Sequence, residues 1–140
     1  MSAKLRNPPE GERPHVIVDF EVEGDALLIA VRNIGALPAA RVRVPFDPTF
    51  RGLGGRLEIP RLALFRRLEF LAPGSTIRAL VDPLHAYFAR QEPREPRLIR
   101  IRLEYRDGRG RQYRARLRHD LRVWEDLPRV QATTIARQNG

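Results

Sequence analysis

Residues 97–119 read RLIRIRLEYRDGRGRQYRARLRH, and this stretch predicts a β-hairpin. On both sides of a short turn, apolar and polar residues alternate with a period of two, which is typical of strands that bury one face. In the turn, Asp107 suits the first position of a type I turn, and Gly110 suits the left-handed residue of a G1 bulge. The sequence therefore predicts two long antiparallel strands here.

The bulge also predicts the register of the two strands. If Asp107 lies opposite Arg111, then Tyr105 lies opposite Tyr113, and each inward residue meets another inward residue. The inward residues are Ile99, Ile101, Leu103, Tyr105, Tyr113, Ala115 and Leu117. On the outer face, Glu104 then lies opposite Arg114. The remaining outer pairs are Arg102–Arg116 and Arg100–Arg118. Like charges placed opposite each other destabilise a sheet by roughly a few tenths of a kcal/mol per pair.

The same period of two marks earlier strands. Their inward positions are Val16, Val18, Phe20 and Val22, then Leu27, Ile29 and Val31, then Val42, Val44 and Phe46, and later Ile77, Ala79 and Val81. Between the third and fourth of these strands, residues 62–71 fit a helix through Leu64, Leu68 and Leu71 and a strand through Leu68 and Phe70. Of the two, we expect a short turn that leads into another strand. Pro73 and Gly74 then predict a tight turn, since proline presets φ and glycine accepts a positive φ.

One short helix is expected over residues 83–90, with Asp82 as its N-cap and Pro83 at its first position. The other segments lack periodicity. Residues 47–60 predict a loop, residues 91–96 a linker, and residues 1–14 a flexible arm.

The chain is strongly basic, and nearly all of its positive charge is arginine. Its 140 residues include 26 Lys and Arg against 17 Asp and Glu, which gives a net charge of +9, and Lys4 is the one lysine. Guanidinium groups suit phosphate and carboxylate, so weak attraction to polyanions is expected. The absence of cysteine excludes disulfides, zinc–thiolate sites and cysteine nucleophiles. No signal peptide or membrane span is apparent, so we expect a cytoplasmic protein or part of a particle assembled in the cytoplasm.

Three sequence elements resemble bacterial immunoglobulin-like domains of the CARDB and fibronectin-III-like kind. The matching positions are Asn33, Gly35, Pro38, Ala39, Val42 and Val44, then Leu71, Pro73 and Gly74, then Tyr105, Asp107, Gly110 and Tyr113. The resemblance implies an all-β fold, an immunoglobulin-like antiparallel β-sandwich of about seven strands with one short helix. We expect the sandwich over residues 15–124 and an extension over 125–140. Such domains are non-catalytic adhesion, adaptor or assembly modules.

In such a sandwich the third strand belongs to the same sheet as the hairpin. One outer face would then carry Arg41, Arg43, Arg100, Arg102, Arg114, Arg116 and Arg118. The opposite sheet would show Asp19, Glu21 and Glu23, so the molecule would be electrically lopsided. Two interpretations stay open: a solvated face that a GC-rich genome has filled with arginine, or a binding face for an acidic protein or a polyanion.

We expect no catalytic residue, metal or cofactor. The pair His119–Asp120 has no nucleophile nearby, and the histidines lack ligand spacing. The glycines of residues 52–55 lack the Lys-Ser/Thr of a P-loop. Near the C-terminus, Trp124, Leu127 and Val130 either cover the core or form an arm that docks on a partner.

The sequence thus predicts a non-enzymatic interaction or assembly module. By analogy it would be a structural subunit or adaptor, as in a virion or phage-like particle. It would contact a protein partner or further copies of itself through the basic face and the terminal arms. The alternative is a non-specific nucleic-acid-associated protein that uses the same arginines. Sequence-specific readout would need a recognition helix or base-stacking aromatics, and Tyr105 and Tyr113 are expected to point inward.

Overall fold

The computed structural model describes residues 12–127. The strands are β1 (Val16–Glu23), β2 (Ala26–Asn33), β3 (Ala39–Arg43), β4 (Phe46–Asp47), β5 (Arg51–Gly52), β6 (Leu57–Glu58), β7 (Leu68–Leu71), β8 (Thr76–Pro83), β9 (Leu98–Arg106) and β10 (Gln112–Asp120). The helices are a 3-10 turn (Ile59–Arg61), α1 (Ala63–Arg66), α2 (Leu84–Ala89) and α3 (Arg122–Glu125).

The strands form antiparallel sheets that curl around one core in a half-barrel arrangement. One sheet has the order β1-β2-β8, and the other has the order β10-β9-β3-β7, with β4 also paired to β9. A small hairpin of β5 and β6 stands apart. The prediction of an all-β class is confirmed.

The core lies between the two sheets and uses the predicted inward positions, which are all buried or half-buried. The segment 47–60, predicted to be a loop, adds buried residues of its own, namely Phe50 and Ile59. Phe46 packs edge-on against Phe50 and Phe65, with ring centroids 5.3 and 4.9 Å apart. Because fully burying such a side chain contributes about 2–3 kcal/mol, this segment is part of the fold.

The register predicted for the hairpin is confirmed pair by pair from Tyr105–Tyr113 to Arg100–Arg118. Asp107 donates its backbone N–H to Arg111 O at 3.0 Å, and Gly110 N–H donates to Asp107 O at 3.0 Å. Gly110 has a φ of 81°, as a G1 bulge requires. Local turn chemistry therefore sets the alignment of the whole outer face.

Other local predictions also hold. Helix α1 leads into β7 as expected for residues 62–71. The next turn closes through Ser75 N–H donating to Ala72 O at 3.0 Å, and Gly74 has a φ of 75°.

The predicted N-cap is wrong. Helix α2 lies inside the predicted range, but β8 continues through Pro83, and Pro83 itself occupies the N-cap without a side-chain hydrogen bond. Asp82 is fully buried and binds Arg90 instead, with Oδ2 2.8 Å from Nη2. The partly buried guanidinium of Arg90 thus competes successfully for a carboxylate that the local sequence assigned to the helix terminus.

Asn33 ends β2 and organises the turns around it. Its Oδ1 accepts the backbone N–H groups of His15 and Gly35 at 3.1 and 3.0 Å. Its Nδ2 donates to Leu37 O and Leu71 O at 2.8 and 3.0 Å. This one side chain therefore holds the residue before β1, the 34–38 turn and β7 together.

Candidate functional site

The candidate site lies on the outer face of the five-stranded sheet. Strands β9 and β10 direct their inward positions to the core, so their intervening arginines stand in solvent. Four of these arginines line one groove of about 530 Å³. We call them the arginine quartet: Arg100, Arg102, Arg116 and Arg118. Pro45, Phe46, Asp47, Ile101 and Leu117 complete the lining.

The quartet consists of two like-charge pairs. Arg102 lies directly opposite Arg116, and Arg100 lies directly opposite Arg118. Asp47, on β4, lies opposite Arg100 of β9. Nevertheless, within residues 12–127 no carboxylate forms an ion pair with any of the four arginines. The groove therefore concentrates four positive charges that form no ion pair in the described part of the chain, and Asp47 is the one carboxylate in its lining.

The other three predicted arginines lie on the same sheet but differ in environment. Arg43 forms an ion pair with Glu69 at 3.0 Å, whereas Arg114 forms a longer one with Glu104 at 4.0 Å. Both ion pairs are exposed to solvent. Arg41 is exposed in a bulge of β3, with a φ of 51°. The structure thus brings all seven to one sheet and concentrates four of them in the groove.

The acidic face predicted for the opposite sheet is partly neutralised. Glu21 forms ion pairs with Arg32 of β2 and with Arg78 of β8, the latter at 2.9 Å. Asp19 and Glu23 remain beside it on β1. The predicted charge asymmetry is therefore smaller than the strand pattern suggested, because neighbouring strands supply the counter-charges.

The predicted docking arm is described only in part. Trp124 lies in α3, half-buried, and packs against the core. Leu127 is 49% exposed, and Val130 lies outside the described residues. For Trp124 the contacts favour the first of the two expectations, that it covers the core.

His119 and Asp120 make structural contacts. His119 Nε2 is 2.8 Å from Val18 O, and its ring packs edge-on against Phe20 at 5.4 Å. The hydrogen bonds from Arg122 lower the pKa of Asp120 to about 2. His119 thereby ties β10 to β1, the edge strand of the other sheet.

Sequence reasoning missed one surface residue, Phe70 of β7. It is 61% exposed and lies opposite Ala40 on the same sheet that carries the arginines. The sequence LEFL of β7 contained this information, because successive residues of a strand point to opposite faces and only alternate ones can reach the core. An aromatic group thus stands on the basic sheet.

A second charged cluster, also missed, is buried. Arg90 bridges Asp82 and Glu95 at 2.8 and 3.0 Å. The remaining carboxylate oxygens accept backbone N–H groups, Gly54 to Asp82 at 3.1 Å and Arg51 to Glu95 at 2.8 Å. Each oxygen has a protein partner, so this cluster stabilises the fold and offers no open position for a ligand.

Two broader properties concern the described residues alone. No helix among them is long and apolar enough to cross a membrane. No three His, Asp or Glu side chains within residues 12–127 are grouped closely enough to hold a metal ion.

Comparison with known proteins identifies one family. No curated protein and no solved structure matches the chain. The family described as "Domain of unknown function (DUF8453)" matches residues 2–125, which is most of the sequence. The chain therefore belongs to the DUF8453 family.

Proposed function

We propose that this protein is a non-enzymatic interaction module that binds an acidic protein surface through the arginine quartet. One observation carries the proposal: in each of two arginine pairs the members lie directly opposite each other, and none of the four forms an ion pair within residues 12–127. Such pairs oppose folding, and a partner that supplies carboxylates would remove the repulsion. Arginine suits that role because its planar fork binds carboxylates in a bidentate manner.

We also propose that the two sheets form an immunoglobulin-like sandwich. The strand order supports this, since β3 lies in one sheet with the last two strands and β1 and β2 lie in the other. Strands β4 to β6 would be an insertion in that plan. On this reading the protein is an adaptor or a structural subunit of a larger assembly in the cytoplasm, which would use its terminal segments as well.

Phe70 favours a second candidate function, non-specific binding of single-stranded nucleic acid. Base stacking on an exposed aromatic contributes about 1–3 kcal/mol, and basic residues on the same sheet would hold the phosphates. However, Phe70 lies on β7, whereas the quartet lies on β9 and β10, which are two and three strands away at roughly 4.8 Å per strand. One distant aromatic is a weak stacking platform, so we rank this function second.

The test compares two polyanions on the same protein. Full-length chain would be titrated with poly-glutamate and with a single-stranded oligothymidine at several salt concentrations. We expect Arg102→Glu combined with Arg116→Glu to abolish poly-glutamate binding. The matched control combines Arg56→Glu with Arg109→Glu, which changes the net charge equally at exposed positions away from the groove.

Either of two results would contradict the proposal. If both double variants weaken binding equally, only the net charge matters and the groove has no special role. If the oligonucleotide binds more tightly and Phe70→Ala weakens it, the nucleic-acid function takes precedence.

A further inference from the structure

We propose that the outer arginines of β10, namely Arg114, Arg116 and Arg118, recognise an extended acidic segment, which adds to the edge of β10 as a further strand of the five-stranded sheet. This inference rests on the proposed function and specifies its ligand: a chain with acidic and apolar residues in alternation. It requires three features of β10, namely an unpaired backbone edge, a matching charge pattern and incompletely covered apolar residues.

Strand β10 lies at the end of its sheet. Its nine residues pair with β9 and, in the described part of the chain, with no other strand. The contact between His119 and Val18 fastens only its C-terminal end to β1. Upstream of that contact, residues 112–118 present backbone N–H and C=O groups away from β9. A peptide strand can pair with such an edge.

The side chains of this edge repeat with the period that a strand requires. Arg114, Arg116 and Arg118 are exposed on the outer face, every second residue. Successive residues on one face of a strand lie roughly 7 Å apart. An added strand with Asp or Glu at alternate positions would place one carboxylate beside each arginine, at the distance of ordinary cross-strand pairs.

The inner face of the same edge is incompletely covered. Ala115 and Leu117 are only half-buried, whereas Leu103 and Ile101, which lie opposite them on β9, are 0% and 1% exposed. Apolar residues between the acidic ones of an added strand would cover Ala115 and Leu117. The alternation inferred for the ligand follows from these two faces together.

Other occupants satisfy fewer of these features. A nucleic acid would supply anions but neither a backbone ladder nor apolar side chains for Leu117. The β10 edge of a second copy would place arginine beside arginine. Strand β1 of a second copy has the required alternation, but its Glu21 is already held by Arg32 and Arg78. A separate acidic segment fits best.

The experiment uses the full-length protein and three short synthetic peptides. One alternates valine with glutamate, one alternates proline with glutamate, and one alternates valine with lysine. The first two carry equal charge, but proline removes every second backbone donor. We expect the valine–glutamate peptide to bind about tenfold or more tightly than the proline–glutamate peptide. The valine–lysine peptide should not bind.

Amide hydrogen exchange gives an independent readout. The valine–glutamate peptide should protect backbone amides of residues 112–118, and Arg116→Glu should remove both the binding and the protection. Equal binding of the two glutamate peptides without protection would overturn edge pairing and leave the acidic-partner function standing. If neither glutamate peptide binds, the proposed function fails as well.

Discussion

At the scale of single residues, Asp107 holds together the turn of the hairpin that carries the site. Its Oδ1 accepts the backbone N–H groups of Arg109 and Arg111 at 2.9 and 3.0 Å, and its Oδ2 accepts the Tyr113 hydroxyl at 2.8 Å. Burial opposes ionisation, but the hydrogen bonds from Tyr113, Arg111 and Arg109 outweigh it and hold the pKa of Asp107 below its ordinary value. Conversely, burial together with the neighbouring Asp107 carboxylate raises the pKa of Tyr113 to about 12.

We therefore expect Asp107→Asn to lower the free energy of unfolding by about 2 kcal/mol at neutral pH, because an amide cannot replace all of the carboxylate's hydrogen bonds. A depressed folded-state pKa stabilises the protein above the unfolded-state pKa of about 4, and this contribution disappears as pH falls through the folded-state value. The difference between the two proteins should thus shrink below about pH 4.

Urea denaturation over a pH series measures this difference. Asp25→Asn is the matched control, since Asp25 is exposed in the β1–β2 turn and the charge change is the same. A difference for Asp107→Asn that stays constant down to low pH would show that the carboxylate contributes nothing through its charge.

Asp107 and Asp82 show what sequence reveals about a single residue. Asp107 was predictable because its partners lie within six positions along the chain. Asp82 sits beside a proline and has the same chemistry, but its partners Arg90 and Gly54 lie 8 and 28 positions away along the chain, on the far side of α2 and in the β5–β6 turn. Such long-range contacts leave no local pattern, so the predicted cap was wrong.

At the scale of elements, the β9–β10 hairpin was predictable because two long period-two runs flank a turn with a defined bulge. The two-residue strands β4, β5 and β6 are too short to show a period, so residues 47–60 resembled a loop. The exposure of Phe70 depends on how β7 pairs with the bulged β3, which the sequence of β7 alone does not contain.

The hairpin register predicts opposite effects for two similar substitutions. Arg116→Glu places a carboxylate opposite Arg102, whereas Arg114→Glu places one opposite Glu104. At low salt we expect the first to stabilise and the second to destabilise the protein, each by about 0.5 kcal/mol. Both effects should decrease as salt screens the exposed charges.

Thermal denaturation at low and high salt compares the two variants, and each serves as the control for the other because both change the net charge equally. A shift of the same sign in both would mean that net charge, rather than the pairing of side chains, decides the outcome. If the two shifts are opposite, as we expect, the Arg116→Glu protein is more stable than the unaltered one yet unable to bind. That combination is expected of a residue whose role is binding.

At the scale of the whole molecule, the sequence predicted the inward faces and the sharing of a sheet by β3, β9 and β10. It overstated the charge asymmetry between the two sheets. Arg32 and Arg78 come from β2 and β8, and their pairing with Glu21 depends on the order of strands in space. The two facing arginine pairs follow from the hairpin register, but their lack of an ion-pair partner within residues 12–127 is visible only once the sheets are assembled.

The chain also has to cross from one sheet to the other between β8 and β9, and the buried cluster around Arg90 fastens this crossing. Asp82 belongs to β8, Arg90 follows α2, and Glu95 precedes β9. Arg90 also donates to Arg51 O at 3.1 Å, which joins the β5–β6 hairpin to the cluster. The carboxylates of Asp82 and Glu95 are almost fully buried, at 1% and 2% side-chain exposure.

Removing the cation should therefore be costly for the whole fold. We expect Arg90→Met to lower the free energy of unfolding by about 3–5 kcal/mol, because two buried carboxylates lose their counter-charge. Adding Asp82→Asn and Glu95→Gln to the same protein should recover much of this loss, since no buried charge then remains. Urea denaturation of both variants measures the effect, with Arg56→Met as an exposed control. A loss below about 1 kcal/mol for Arg90→Met, or no recovery in the triple variant, would show that charge neutralisation is not what Arg90 contributes.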